Sequence, residues 1–207
     1  MLYKNRERLE KYSLKVGMLF SRFGISPNAW TLMSLIPAFI AFYFLLGGAA
    51  QNFLLAAFFF MLAAFLDLID GGVARVTGRV TKFGAYLDTI ADRVVEAAIA
   101  FGLLLAALPG FIIPAYAWVF LYFCGSSLTT YAKSAAKEKG LVEAELRGGI
   151  LERAERLSLL FLGILFASVN PLWLVYMLAL LAVLSNITAL QRVAIAARTS
   201  AANAKKT

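Results

Sequence analysis

Six runs of mostly apolar residues, separated by short polar turns, constrain this 207-residue chain more tightly than anything else in it. They extend over roughly 28–48, 52–76, 82–108, 112–136, 150–168 and 171–195. A helix needs about 20 such residues to cross the hydrocarbon of a bilayer. Lipid offers no partner to a bare backbone N–H or C=O, so a crossing segment must satisfy its own hydrogen bonds, as a helix does. With 61% of its residues hydrophobic and 15% charged, the chain has too few polar side chains to cover a soluble domain. The expected fold class is therefore an all-α membrane protein, with six transmembrane helices in one domain over 25–198. A frayed tail is expected over 199–207.

The first residues follow another pattern. Lys4, Arg6, Arg8, Lys11 and Lys15 alternate with Leu9, Leu14, Leu19 and Phe20, which predicts an interfacial amphipathic helix over 1–24, lying in the membrane surface. No apolar core with a cleavage site follows Met1, so the first span is expected to direct insertion itself. Six crossings return both termini to one side, and all 20 Lys and Arg residues fall on it. The opposite turns, around 47–52, 108–110 and 169–171, carry no charge. The positive-inside rule then makes the charged face cytoplasmic, in a multi-pass protein of the cell membrane. A net charge of +8 and a pI near 9.7 suit the anionic face of a lipid bilayer, and no nucleic-acid partner is expected. The single cysteine, Cys124, excludes a disulfide framework or a multi-thiolate metal site within one chain; it is expected as a small buried hydrophobe.

Acids inside a bilayer cost several kcal/mol unless paired, solvated or metal-bound, which makes them functional candidates. The second and third spans contain five: Asp67, Asp70, Asp88, Asp92 and Glu96. At about 100° per residue, Asp67, Asp70, Gly71 and Ala74 share one helix face, and Gly84, Asp88 and Asp92 share another. Two helices joined by a short turn would aim four carboxylates at one another near the cytoplasmic end. Such a group needs a strong counter-charge. The chain has no histidine, so the donors are oxygens, and the matching ion is hard: Mg²⁺ or Mn²⁺ rather than zinc or copper. Gly71, Ala74 and Gly84 leave a groove beside the ions, open to a flat or phosphorylated ligand; the alternative use of small residues there is close helix packing. The alternative for the aspartates is a structural network with Arg75, Arg79 and Arg93.

Together these residues spell D-x-x-D-G-x-x-A-R, then G-x-x-x-D-x-x-x-D, matched at Asp67, Asp70, Gly71, Ala74, Arg75, Gly84, Asp88 and Asp92. The pattern resembles the signature of the CDP-alcohol phosphotransferase family, and the six-span layout extends the resemblance over nearly the whole chain. The resemblance implies a homodimeric membrane enzyme with two Mg²⁺ or Mn²⁺ ions held by Asp67, Asp70, Asp88 and Asp92. Asp92 would also be the catalytic base, taking the proton of an acceptor hydroxyl that attacks the β-phosphorus of a CDP-activated lipid. Gly71, Ala74 and Gly84 would admit the cytidine, and Arg75 would lie near the phosphates. Asn28 and Thr31 resemble the family's first-helix entry and would touch the nucleotide; the alternative is an ordinary helix cap around Pro27.

The acceptor is sought in the second basic cluster. Arg153 and Arg156 share a helix face, and with Lys133 and Arg192 they suit an acceptor that carries a phosphate. Positive-inside anchoring, with Glu152 and Glu155 as local partners, is the competing use. The string G-x-x-E-R-A-E-R-L from Gly149 to Leu157 resembles the branch that uses inositol 1-phosphate, the phosphatidylinositol-phosphate and archaetidylinositol-phosphate synthases. That branch implies CDP-diacylglycerol or CDP-archaeol as donor. One position departs: Ala135 stands where the branch often carries Arg. Glycerol 3-phosphate as acceptor, giving a phosphatidylglycerophosphate synthase, is the alternative within the family. An ion transporter is the alternative outside it, although the acids cluster at one end and no second copy of the motif is found.

Overall fold

The computed structural model describes residues 6–142 and 149–204, with side chains over 12–142 and 149–201. Lys4 and the last residues of the expected tail, 205–207, lie outside them. Seven helices account for nearly all of the described chain: α1 (Arg6–Ser21), α2 (Pro27–Leu45), α3 (Ala50–Val76), α4 (Lys82–Leu105), α5 (Ala115–Glu138), α6 (Arg153–Ala167) and α7 (Pro171–Ala204). Among the described residues there is no strand, only an isolated bridge between Phe111 and Ile113. Each apolar run of the sequence is helical. Among the described residues, three helices are long and apolar enough to cross a membrane: Pro27–Leu45, Ala50–Val76 and Pro171–Ala201. Among the others, α6 has 15 residues, about 22 Å at 1.5 Å per residue, short of a hydrocarbon core of about 30 Å. In α4 the charged residues Lys82, Asp88, Asp92, Arg93 and Glu96 interrupt the apolar run.

Local chemistry explains the helix ends nearest the acids. Ser26 caps α2, its hydroxyl accepting from the Ala29 N–H at 3.3 Å, with Pro27 in the first turn. A proline there gives up an N–H that had no partner in the helix anyway. Thr81 caps α4 by accepting from the Gly84 N–H at 2.9 Å. α3 ends where Gly78 turns left-handed at φ 66° and Arg79 N–H bonds to Ala74 O at 3.0 Å; glycine takes that conformation without a Cβ penalty. α7 has no such stop. It continues through Thr199, whose hydroxyl donates to Ile195 O at 3.0 Å, to Ala204. Alanine-rich sequence without Gly or Pro sustains a helix past 198.

The chain forms two compact units, Met1–Ala107 and Leu108–Thr207. In the first, α2 packs against both α3 and α4, which barely touch each other, and α1 packs along α3. Phe42 of α2 stacks on Phe101 of α4 with centroids 5.7 Å apart. Phe20 of α1 meets Trp30 edge-on at 5.5 Å, over a buried cluster of Trp30, Ile69 and Val73. In the second unit α7 takes the central place, packing against α5 and α6. Its Asn186 Nδ2 donates to Leu121 O of α5 at 2.9 Å, while Leu160, Ile164, Leu174 and Leu178 are fully buried. Cys124, expected as buried, is a free thiol and half-buried.

Candidate active site

The residues of the signature converge in the first unit. Carboxylate oxygens of Asp67, Asp70 and Asp88 all lie within 4.8 Å of one another. The first two come from one turn of α3 and the third from the second turn of α4. Asp70 is 5% exposed. Its Oδ2 accepts from Thr31 Oγ1 at 2.5 Å, which ties α2 to the acids. The spacing of the three oxygens is about twice the 2.0–2.6 Å of a hard ion's bond to oxygen. Like charges this close favour a strong counter-charge, and an all-oxygen donor set suits a hard cation. The residues present therefore fit Mg²⁺ or Mn²⁺.

Asp92 is not one of this trio. It stands four residues beyond Asp88 on the same face of α4, about 6 Å further along the axis, and is half-buried. Glu96, one turn on again, is 1% exposed and pairs with Arg93, Nη1 to Oε2, at 2.5 Å.

The nucleotide candidates gather at the same end of α2, α3 and α4. A Cβ placed on Gly84 would meet Thr81 Oγ1 at 3.0 Å and Asn28 Oδ1 at 3.1 Å, so Asn28 faces the first turn of α4. Ser26 and Pro27 form an ordinary cap at this end of α2, while Asn28 faces α4 and Thr31 bonds to Asp70. The Arg75 guanidinium lies over Gly71, with both terminal nitrogens 3.5 Å from where a Cβ would stand. Ala74, one residue before Arg75, is half-buried. Ser13 of α1, which the sequence reading passed over, is 3% exposed and accepts from Arg75 Nη2 at 2.5 Å. The available signal was its spacing of four from Gly17, the small-xxx-small pattern of close helix contacts.

The second unit contains the four basic residues expected at the acceptor. Arg156 is 1% exposed, with Nη1 donating to Leu151 O at 3.4 Å. Arg192 is buried, its Nη1 donating to Thr129 O at 2.9 Å, one turn before Lys133 on α5. Lys133 and Arg153 are half-buried. The chain entering α6 is pinned to α7: Ile150 N–H donates to Gln191 Oε1 at 3.2 Å and Leu151 N–H to Thr188 Oγ1 at 3.3 Å. Glu155 accepts from the Glu152 N–H at 3.2 Å, so part of its carboxylate caps α6. Gln191 and Thr188 were missed as supports because uncharged polar residues in a long helix carry no signal by themselves.

Comparison with known proteins places this arrangement. The chain is 36% identical over 194 residues to the archaetidylinositol phosphate synthase of Pyrococcus horikoshii, covering 93% of this chain and 95% of that one. It is 34% identical over 181 residues to the archaetidylinositol phosphate synthase of Aeropyrum pernix, with 86% of each covered. Among solved structures it resembles the phosphatidylinositol phosphate synthase of Mycobacterium tuberculosis in complex with manganese and citrate: TM-score 0.78, 27% identity, 89% of this chain and 88% of that one. The same enzyme with CDP-DAG bound matches at TM-score 0.76 and 26% identity, over 90% and 94%. The model of the CDP-alcohol phosphatidyltransferase family matches residues 24–190, a stretch that contains every aspartate of the site, and the chain belongs to that family.

Proposed function

We propose that this membrane protein transfers the phosphatidyl or archaetidyl group of a CDP-activated lipid to a hydroxyl of inositol 1-phosphate and releases CMP. The observation that carries this reading is the grouping of Asp67, Asp70 and Asp88 within 4.8 Å beside Asn28, Gly71 and Gly84, in a chain related to archaetidylinositol phosphate synthases. Asp67, Asp70, Asp88 and Asp92 would hold two Mg²⁺ or Mn²⁺ ions, which when bound neutralise the diphosphate and the departing phosphate. Thr31 orients Asp70. Gly71, Ala74 and Gly84 leave room for the cytidine, Asn28 and Thr31 border it, and Arg75 adds positive charge at the phosphates.

An Oδ of Asp92 takes the proton of the acceptor hydroxyl while that oxygen forms a bond to the β-phosphorus. The bond from this phosphorus to the oxygen of CMP breaks, and CMP leaves with the electron pair. Standing outside the trio suits Asp92 to that role: four residues beyond Asp88 on α4, it would be less committed to the ions than Asp70. Lys133, Arg153, Arg156 and Arg192 bind the acceptor's own phosphate, as guanidinium forks do well.

In the bilayer, α2, α3 and α7 cross by length and composition, and α4, α5 and α6 complete the six crossings, although α6 by itself falls short of the hydrocarbon thickness. α1 lies in the cytoplasmic surface, where its exposed Tyr12, Met18 and Leu19 meet lipid beside Lys15. Both ends of this sequence and the aspartates face the cytoplasm, and the enzyme works as a homodimer. The test is CMP release from a CDP-lipid with Mg²⁺, offering inositol 1-phosphate, free inositol or glycerol 3-phosphate. Release with inositol 1-phosphate alone supports the assignment; release with glycerol 3-phosphate alone would overturn the acceptor and leave the donor chemistry standing.

A further inference from the structure

The contact of α1 with α3 is closer than a surface anchor needs. Gly17 and Gly72 face each other across it: a Cβ on Gly17 would stand 2.3 Å from the backbone carbon of Gly72, and a Cβ on Gly72 would stand 2.5 Å from Ser13 O. Only glycine at both positions lets the backbones meet this way. The meeting point is one residue past Gly71 and two past Asp70, within the signature itself.

What the close approach achieves is the burial of Ser13 against Arg75. The arginine is exposed along much of its length, at the last turn of α3, and a long side chain there has many rotamers to choose from. Its Nη2 donates to the buried Ser13 hydroxyl at 2.5 Å, and its guanidinium stands over Gly71. A serine accepts the hydrogen bond without contributing a negative charge, so this bond orients the guanidinium without reducing its charge, whereas a carboxylate in the same place would neutralise it.

We propose that Ser13 is a positioning residue for the donor: by holding the Arg75 guanidinium over Gly71, it makes α1 part of the donor site. The inference rests on the assignment of Arg75 to the donor's phosphates. Ser13 touches no reacting atom and acts through Arg75, so its effect should appear in donor affinity and depend on the arginine being present.

The test is a double-mutant cycle in the full-length protein in lipid vesicles, with Ser13→Ala, Arg75→Ala and both together. Donor KM, acceptor KM and kcat are measured alongside direct binding of CDP with Mn²⁺ by calorimetry. Losing a hydrogen bond to a charged group corresponds to about a tenfold weakening. Ser13→Ala is expected to raise donor KM and the CDP dissociation constant about tenfold, with acceptor KM within about twofold. In the Arg75→Ala background the same change is expected to do nothing further. Unchanged CDP binding in Ser13→Ala would overturn the proposal. So would effects that multiply in the double variant, or that fall equally on both substrates, as a merely structural serine would give. Failure of the acceptor assignment would appear as absent turnover with CDP binding intact, which leaves the cycle readable; a wild-type protein that does not bind CDP would overturn both.

Discussion

The two units use charge in opposite ways. The first brings three carboxylates within 4.8 Å of one another; the second buries two arginines, Arg156 and Arg192, against backbone carbonyls of Leu151 and Thr129. In each, a single apolar helix, α2 or α7, is the partner of its two neighbours. What differs is how the charge becomes tolerable. Clustered like charges favour a bound counter-ion, so the first unit offers a site that metal can complete. A guanidinium can satisfy some of its five donors on carbonyls and keep its charge, which is how the second unit accommodates its buried arginines.

The largest effect should follow from removing what the first unit requires. Chelation of divalent ions, or Asp70→Asn, is expected to reduce CMP release to background, and Asp70→Asn should also lose tight Mn²⁺ binding measured by electron paramagnetic resonance. Full activity in chelator would break the contrast at its root. Next comes Asp92→Asn, which should lower kcat by about 10²- to 10⁴-fold, the usual worth of a general base, while retaining most Mn²⁺ binding. If Asp92→Asn loses metal as completely as Asp70→Asn, then Asp92 is primarily a ligand.

In the second unit the effects should be smaller and fall on the acceptor. Arg192→Ala is expected to raise acceptor KM about 10- to 100-fold, from the loss of charge-assisted hydrogen bonds, with donor KM within about twofold. A donor KM that moves as much as the acceptor KM would end the division of labour. Gly84→Ala in the first unit should raise donor KM about threefold, since the new methyl forces Asn28 or Thr81 to give by a few tenths of an ångström. Thr188→Val is the mildest change. It removes the acceptor of the Leu151 N–H and should cost about 1 kcal/mol of stability, seen as a lower melting temperature with the catalytic constants nearly unchanged.

Much of this was legible without coordinates. The six apolar runs are helices because their length and composition leave a lipid-bound backbone few other choices. The faces carrying Asp67, Asp70 and Gly71, and Gly84 and Asp88, follow from helical periodicity. Pro27 marked a local helix start whose chemistry is contained in a few adjacent residues, whereas the left-handed Gly78 that closes α3 was not read. The end of α7 carries no such mark: no residue near Arg198 forbids a helix, and nothing in the string says where one stops.

Residue types and intervals in one chain therefore determined the helices, the acidic motif and the family. Contacts between helices were decided only by packing. That α2 bonds to Asp70 through Thr31, that Asp92 stands apart from the trio, and that Arg156 and Arg192 are buried all depend on how one helix turns and slides against another. Ser13 shows the limit most clearly. In sequence it is an ordinary polar residue in a basic helix, and only the closeness that Gly17 and Gly72 permit places its hydroxyl on Arg75, 62 residues away. Helical phase repeats within a few residues and can be read locally; the register between two helices is a property of both surfaces at once.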